Sequence, residues 1–413
     1  MMKDFRFVDL FCGIGGFHQA MTSLGGKCVF ACDIDNDCRK TYHANYGIMP
    51  AGNIKEIDAA DIPPHDVLCA GFPCQSFSKA GNRLGFSDAA KGTLFFDIIR
   101  ILKHHKPGYA LLENVRNLAS HDHGNTWRVI HDLLEDSGYN LLPRPIIFSP
   151  HCIGIPQHRE RVYIICVRKD LGCVPEFHFD KRNMPECNVN SILQDDSEIP
   201  DIGRYKLSDG QVQLLRLWDE FISGIKCRRL PGFPVWTEWL CEPDNGEDMT
   251  QYPKWKQNFI RKNNELYLDN KAFIDAWLAK AHGCPLFFGA KAKLEWQAGQ
   301  VENPTLFDNI LQMRPSGIRV KPSTYFPALV AITQTSIIGS RLRFLTPREC
   351  ARLQSFPDTF QPDVTEAQAY KQLGNSVNVE CVRLFAKFML GDEETRGKYG
   401  AGGFLNYALP TLL

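Results

Sequence analysis

A cysteine set directly after a strand and a proline is placed to act as a nucleophile, and Gly71-Phe72-Pro73-Cys74-Gln75-Ser76-Phe77-Ser78 has that arrangement. The strand DVLCAGF at 66–72 would end at the carboxyl edge of a sheet, where open α/β folds bind ligands. A thiol there attacks if its thiolate is stabilised; otherwise Cys74 is one more buried cysteine. A second group, Glu113-Asn114-Val115, closes the strand YALLENV at 109–115. Burial would raise the pKa of such a carboxyl and make it a general acid, although a helix cap or a salt-bridged edge acid would look the same. A third group, Gln157-His158-Arg159-Glu160-Arg161, precedes RVYIICV. Arginines at i and i+2 of a strand point to one side. They suit an anion or an electron-rich ring oxygen, or simply a surface pair beside acids. The fourth group is the glycine turn Cys12-Gly13-Ile14-Gly15-Gly16, with Asp33 following Gly13 by 20 residues. Glycines let a backbone approach a nucleoside, and an acid at that distance accepts from ribose hydroxyls. The spacing fits an adenosine-bearing ligand and does not separate NAD from S-adenosylmethionine. A plain tight turn would also produce it, and G-I-G-G departs from the G-x-G-x-x-G of pyrophosphate sites.

Regular elements must hold these groups. FRFVDLF (5–11), KCVFAC (27–32), DVLCAGF (66–72), YALLENV (109–115) and RVYIICVR (161–168) read as strands. FHQAMTSLG, DNDCRKTYHANYG, TLFFDIIRILKHH and WRVIHDLLEDSG read as the helices between them. Strands alternating with helices of about 10–15 residues predict an α/β fold with a doubly wound, mostly parallel sheet. The alternation stops near 172, and six of the seven tryptophans follow in an irregular stretch. Those tryptophans are expected to form its core. TPRECARLQSF, with Thr346 as N-cap, and SVNVECVRLFAKFML restore helical periodicity. The last of these is expected to pack back on the first sheet. The predicted divisions are 1–174, an inserted domain at 175–342, and a return segment at 343–413.

Composition narrows the class. The chain has 413 residues, with 47 Lys+Arg against 47 Asp+Glu and 44% hydrophobic residues. This excludes a polycation, an acidic tail and a disordered chain. The charges are spread evenly, so nucleic-acid binding does not follow from bulk charge. Local basic spots stand at Lys226/Arg228/Arg229, Lys254/Lys256/Arg261/Lys262 and Arg314/Arg319/Lys321. The fifteen cysteines include no C-x2-C pair, so no zinc site is expected and no metal is assigned. No signal peptide and no apolar run of membrane length is found, which points to a reducing cytoplasm.

Taken together and in order, six blocks resemble the DNA (cytosine-5)-methyltransferases of the bacterial restriction–modification type. They are DLFCGIGGF (9–17), GFPCQSFS (71–78), ENV (113–115), QHRERVYIICV (157–167), RFLTPRECARLQSFPD (343–358) and GNSVNVECV (374–382). The resemblance covers the chain except about 175–325, where the family varies. It implies a Rossmann-like methyltransferase domain carrying an inserted target-recognition domain. Cys74 would attack C6 of a flipped-out cytosine. Glu113 would protonate or hydrogen-bond N3, and Asn114 would orient its segment. Arg161, supported by Arg159, would face the cytosine O2 and the loop around Cys74. S-adenosyl-L-methionine is the implied cofactor. Phe11, Gly13, Ile14 and Gly16 would line its pocket, Asp33 would hold the ribose, and Ile34 would flank the adenine. Asn53 falls where the family usually has Asp contacting the adenine amino group. Pro73, Leu94, Asn375, Ser376 and Val377 would complete the pocket. Asn378 replaces a proline common in the family, with no catalytic effect expected. Segment 76–92 would form a loop closing on DNA.

The implied partner is double-stranded DNA, met by a monomer, with a separately encoded restriction endonuclease as companion. Two alternatives remain at this stage: an RNA (tRNA) cytosine-5 methyltransferase on the same fold, and a non-catalytic DNA-binding relative. The presence of both Cys74 and Glu113 argues against the second. No D/N/S-P-P-Y/F block supports an amino methyltransferase, and a NAD oxidoreductase would explain only the glycine turn.

Overall fold

The computed structural model describes residues 4–73, 94–243, 248–331 and 335–400. They fall into two compact units. One lies within Met1–Cys187, Ala328–Thr333 and Cys350–Leu413, the other within Asn188–Pro327 and Gln334–Glu349.

The first unit is built on a seven-stranded sheet. In chain order the strands are β1 (Arg6–Leu10), β2 (Lys27–Cys32), β3 (Val67–Gly71), β4 (Tyr109–Val115), β5 (Tyr139–Leu141), β6 (Ile146–Phe148) and β7 (Arg161–Arg168). Their order is β2-β1-β3-β4-β7-β5, with β6 also paired to β7. The first four are parallel. β7 runs antiparallel to β4, β5 and β6. Strands covered on both faces should be nearly continuous in apolar residues, and VLCAG and VYIICV are. The helices are α1 (Gly16–Thr22), α2 (Asn36–Tyr46), α3 (Leu94–His105) and α4 (Asn125–Asp136). α2 starts where the Asp35 carboxylate accepts from the N–H groups of Asp37 and Cys38, and it stops at Gly47 with φ 68°.

The return helix behaves as its apolar stripe requires. In Val379–Met389, Phe385 stacks on Tyr163 of β7 with ring centroids 4.4 Å apart. Asn378 caps this helix by accepting from the Cys381 N–H, and its amide donates to Leu353 O and Ser355 Oγ. The residue that departs from the family pattern thus has a local structural role.

The unit boundary falls after Cys187 rather than after 174. The cause is aromatic packing: Phe177 meets Phe148 and Tyr399, and Phe179 meets Phe148. Residues 343–349 likewise stay with the second unit, and Ala328–Thr333 belong to the first. The inserted stretch is also less irregular than its sequence suggests. Its helices are α5 (Asp209–Gly224), α6 (Lys254–Asp269) and α7 (Lys271–Ala281). Its strands β8 (Val235–Trp236), β9 (Lys293–Trp296), β10 (Ile310–Arg314), β11 (Gly317–Lys321), β12 (Ile337–Ile338) and β13 (Arg343–Phe344) form one sheet in the order β13-β12-β10-β11-β9-β8. Trp218, Trp239, Trp277 and Trp296 are buried, as expected of a core, whereas Trp255 is 60% exposed.

One buried ion pair organises the second unit's end. Arg343 and Glu349, both fully buried, form a two-pronged pair at 2.8 and 2.9 Å. Glu349 also accepts from the N–H groups of Thr346 and Gln194, and Arg343 donates to Asp196. Thr346 caps the helix Pro347–Leu353 by accepting from the Glu349 N–H. Glu349→Ala removes the buried partner of the guanidinium and leaves only the partly exposed Asp196, an expected loss of about 3–5 kcal/mol in chemical denaturation. The double replacement Arg343→Met/Glu349→Leu is expected to recover most of it.

A second buried charge has the opposite character. Asp9 on β1 is fully buried, and neither carboxylate oxygen reaches hydrogen-bond geometry with any described residue. Burial pushes its carboxyl well above the usual range, and the nearby backbone N–H of His18 offsets this only in part. Such a group favours the fold most below its unfolded pKa of about 3.9, and this advantage is lost as pH rises through the folded value. Asp9→Asn removes the titration. The variant is expected to melt above the wild type by a margin that widens as pH rises above the unfolded value of about 3.9. A margin independent of pH would contradict the assignment.

Candidate active site

Twelve residues expected around a cofactor and three expected around a base converge on one cavity of about 420 Å3 in the first unit. Phe11, Gly13, Ile14 and Gly16 from the turn after β1 line one wall, and Asp33, Ile34 and Asn53 line the next. Pro73, Leu94, Asn375, Ser376 and Val377 continue the lining, and Glu113, Arg159 and Arg161 complete it. Cys74 and the segment 76–92 lie outside the described residues. Pro73, the residue before Cys74, is the last described one at the end of β3.

The glycine turn and Asp33 are built as one piece. Gly13 has φ 51°, where a side chain would be strained. Its N–H donates to Asp33 Oδ2 and the Asp35 N–H to Oδ1, both at 2.8 Å. Burial raises the Asp33 carboxyl, and those two N–H groups draw it back. Two oxygens offer about four lone-pair sites, so Asp33 can accept from a vicinal diol as well. Ile34 is 75% exposed, leaving an apolar face open for a planar ring. Asn53 accepts from the Lys55 N–H and donates to Glu56. Its Oδ1 keeps one lone pair for an amino donor. Gly16 permits close approach, because a Cβ there would come within 2.5 Å of Val377.

The other end of the cavity is acidic and cationic together. Glu113 is buried at the end of β4, and Arg161 Nε stands 3.3 Å from its Oε1. Burial raises the Glu113 carboxyl, while Arg161 first and Arg159 second lower it. Asn114 donates to Phe72 O at 2.9 Å and accepts from the Val115 N–H, tying the end of β4 to the end of β3. Arg159 was expected to support Arg161; its guanidinium donates to the carbonyls of Leu329, Gly374 and Ser376.

Sequence reading missed Cys12, Cys32, Cys38 and Gln372 in the lining. Gln372 stands four residues before Ser376, so helical spacing was the available signal. Burial holds Cys12, Cys32 and Cys38 in the thiol form, each pKa pushed up. Among the described residues no group of His, Cys, Asp or Glu is placed to hold a metal. No helix among them is long and apolar enough to cross a membrane.

A doubly wound sheet with a cavity running from a glycine turn to a buried acid at the strands' carboxyl edge is the framework of a Rossmann-like nucleoside-binding enzyme. The model of the C-5 cytosine-specific DNA methylases matches residues 5–390. The chain belongs to that family, the DNA cytosine-5 methyltransferases. It is 33% identical to the type II methyltransferase M.AluI of Cellulosimicrobium cellulans, over 92% of this chain and 90% of that protein. It is 31% identical to M.HhaI of Haemophilus parahaemolyticus, over 93% and 94%. It is 44% identical to M.MspI of a Moraxella species, over 93% and 70%. Among solved structures, it resembles a putative DNA modification methyltransferase of an Escherichia coli prophage with TM-score 0.51. There the identity is 20% and the coverage 93% of this chain and 98% of the other, a likeness of fold.

Proposed function

We propose that this chain transfers the methyl group of S-adenosylmethionine to C5 of a cytosine flipped out of duplex DNA, through a covalent bond between Cys74 and C6. The observation that carries the reading is the single cavity joining the Asp33–glycine-turn wall to Glu113 and Arg161. The residues present fit the cofactor: an acceptor for a diol, an exposed apolar face for a ring, and a turn open to close approach. S-adenosylmethionine supplies an electrophilic methyl group when bound.

The chain's residues do the rest. C5 of cytosine is not nucleophilic until the ring gains electron density. Cys74, as thiolate, adds to C6. Glu113 gives N3 a proton or a hydrogen bond, so that the added electron pair makes C5 enamine-like. Arg161 is suited to the carbonyl oxygen O2 of the cytosine and balances charge beside Glu113. After C5 takes the methyl group, a water molecule takes the C5 proton, the electron pair re-forms the C5–C6 double bond, Cys74 leaves C6 as thiolate, and N3 returns its proton to Glu113. A base inside a duplex is out of reach of this chemistry, so the target cytosine must leave the stack.

The second unit is the target-recognition domain in this reading and would read base edges in the major groove. Its core holds four buried tryptophans, Trp218, Trp239, Trp277 and Trp296. Lys256 over Tyr252, Lys262 over Phe233 and Lys291 over Phe288 place cations on aromatic rings. The protein would act as a cytoplasmic monomer, beside a separately encoded restriction endonuclease. Transfer of labelled methyl groups to duplex DNA and to tRNA separates the substrates. Labelling of duplex DNA alone is the expected result, and labelling of tRNA alone would overturn it.

A further inference from the structure

Arg159 has a bonding pattern unsuited to a base contact. The residue is only 3% exposed. Nη1 donates to Leu329 O, and Nη2 to both Gly374 O and Ser376 O, all at 2.9 Å. Gly374 and Ser376 lie at the end of the helix Glu366–Asn375 and line the cavity. Carbonyls at a helix C-terminus lack partners within the helix, and the helix dipole favours a cation beside them. Gln354 adds a second donor, reaching Leu373 O at 2.7 Å and Ser376 O at 3.3 Å. Gly374 in turn lies against the Val330 carbonyl, where a Cβ would clash. One guanidinium therefore pins the cavity wall at 374–376 to the segment around 329. Its planar fork reaches several acceptors at once, whereas an ammonium is a point charge on a flexible stem.

We infer that Arg159 is a positioning residue for the cofactor wall and makes no contact with the flipped base. The inference rests on the reading of the cavity as the S-adenosylmethionine site. Arg159→Lys keeps the positive charge near Glu113 and loses the fork. It is expected to weaken binding of S-adenosylmethionine to the DNA-free protein by about 10–100-fold, as for lost hydrogen bonds to a charged group. At saturating cofactor, the fall in kcat is expected to be smaller than the fall in affinity, with the pH profile keeping its shape.

The test is calorimetric titration of the full chain with S-adenosylmethionine, paired with kcat and KM. Intact affinity in Arg159→Lys with a reduced kcat would overturn the inference and return Arg159 to the base. Failure of the wild type to bind would sink the reading of the cavity itself, a distinguishable result. If Arg159→Lys does not fold, Gln354→Met removes the other donor to Ser376 and leaves Arg159 in place. It is expected to weaken cofactor binding by about 3–10-fold with kcat retained, and unchanged affinity there would also contradict the clasp.

Discussion

Cys74→Ala is expected to lower methyl transfer by on the order of 10^4-fold or more while specific binding to duplex DNA is retained. The size of the effect follows from the ring chemistry. Without addition at C6, C5 is no better a nucleophile than in free cytosine, and among the described residues that line the cavity no other group replaces the thiolate. The thiols that line it, at Cys12, Cys32 and Cys38, are buried with their pKa values pushed up, so they remain unreactive. Binding should survive, because the alanine removes only the attacking atom. The check pairs a methyl-transfer assay with a gel-shift titration. Activity near wild type in the variant would remove the covalent step.

Glu113→Gln is expected to lower kcat by about 10^2–10^4-fold, the usual worth of a positioned general acid. Glutamine still donates a hydrogen bond to N3 but has no proton to give. The pH dependence carries the sign. Burial raises the Glu113 carboxyl, and Arg161 with Arg159 restrains it. The acid form is the working form, so the rate should fall as pH rises through that raised value. In Glu113→Gln this fall should disappear, leaving the rise that accompanies formation of the Cys74 thiolate. A variant that kept the fall would assign it to another group.

Local order was legible wherever one element carried its own signal. β2, β4 and β7 have the bounds that their apolar runs suggested. The twelve positions that the resemblance assigned to the cofactor all line one cavity, because each lies in a short block at the end or start of an element. Pairing direction was not legible: RVYIICVR reads the same whether it runs with β4 or against it. The second unit's sheet was hidden because its strands are two to five residues long. Runs that short show no periodicity. The partners of Arg159 stand 170, 215 and 217 residues away in sequence. They are backbone carbonyls, which no residue type announces. Spacing showed two arginines on one side of a strand, and only packing distinguishes the one that faces Glu113 from the one that holds the wall.

The measurement that tests the central claim most directly is bisulfite sequencing of plasmid DNA from cells expressing the chain. Methylation at C5 slows bisulfite deamination, so a modified cytosine survives as cytosine. The account predicts protected cytosines confined to one short sequence, absent when the Cys74→Ala chain is expressed instead. Uniform conversion of every cytosine, with soluble wild-type protein present, would contradict it.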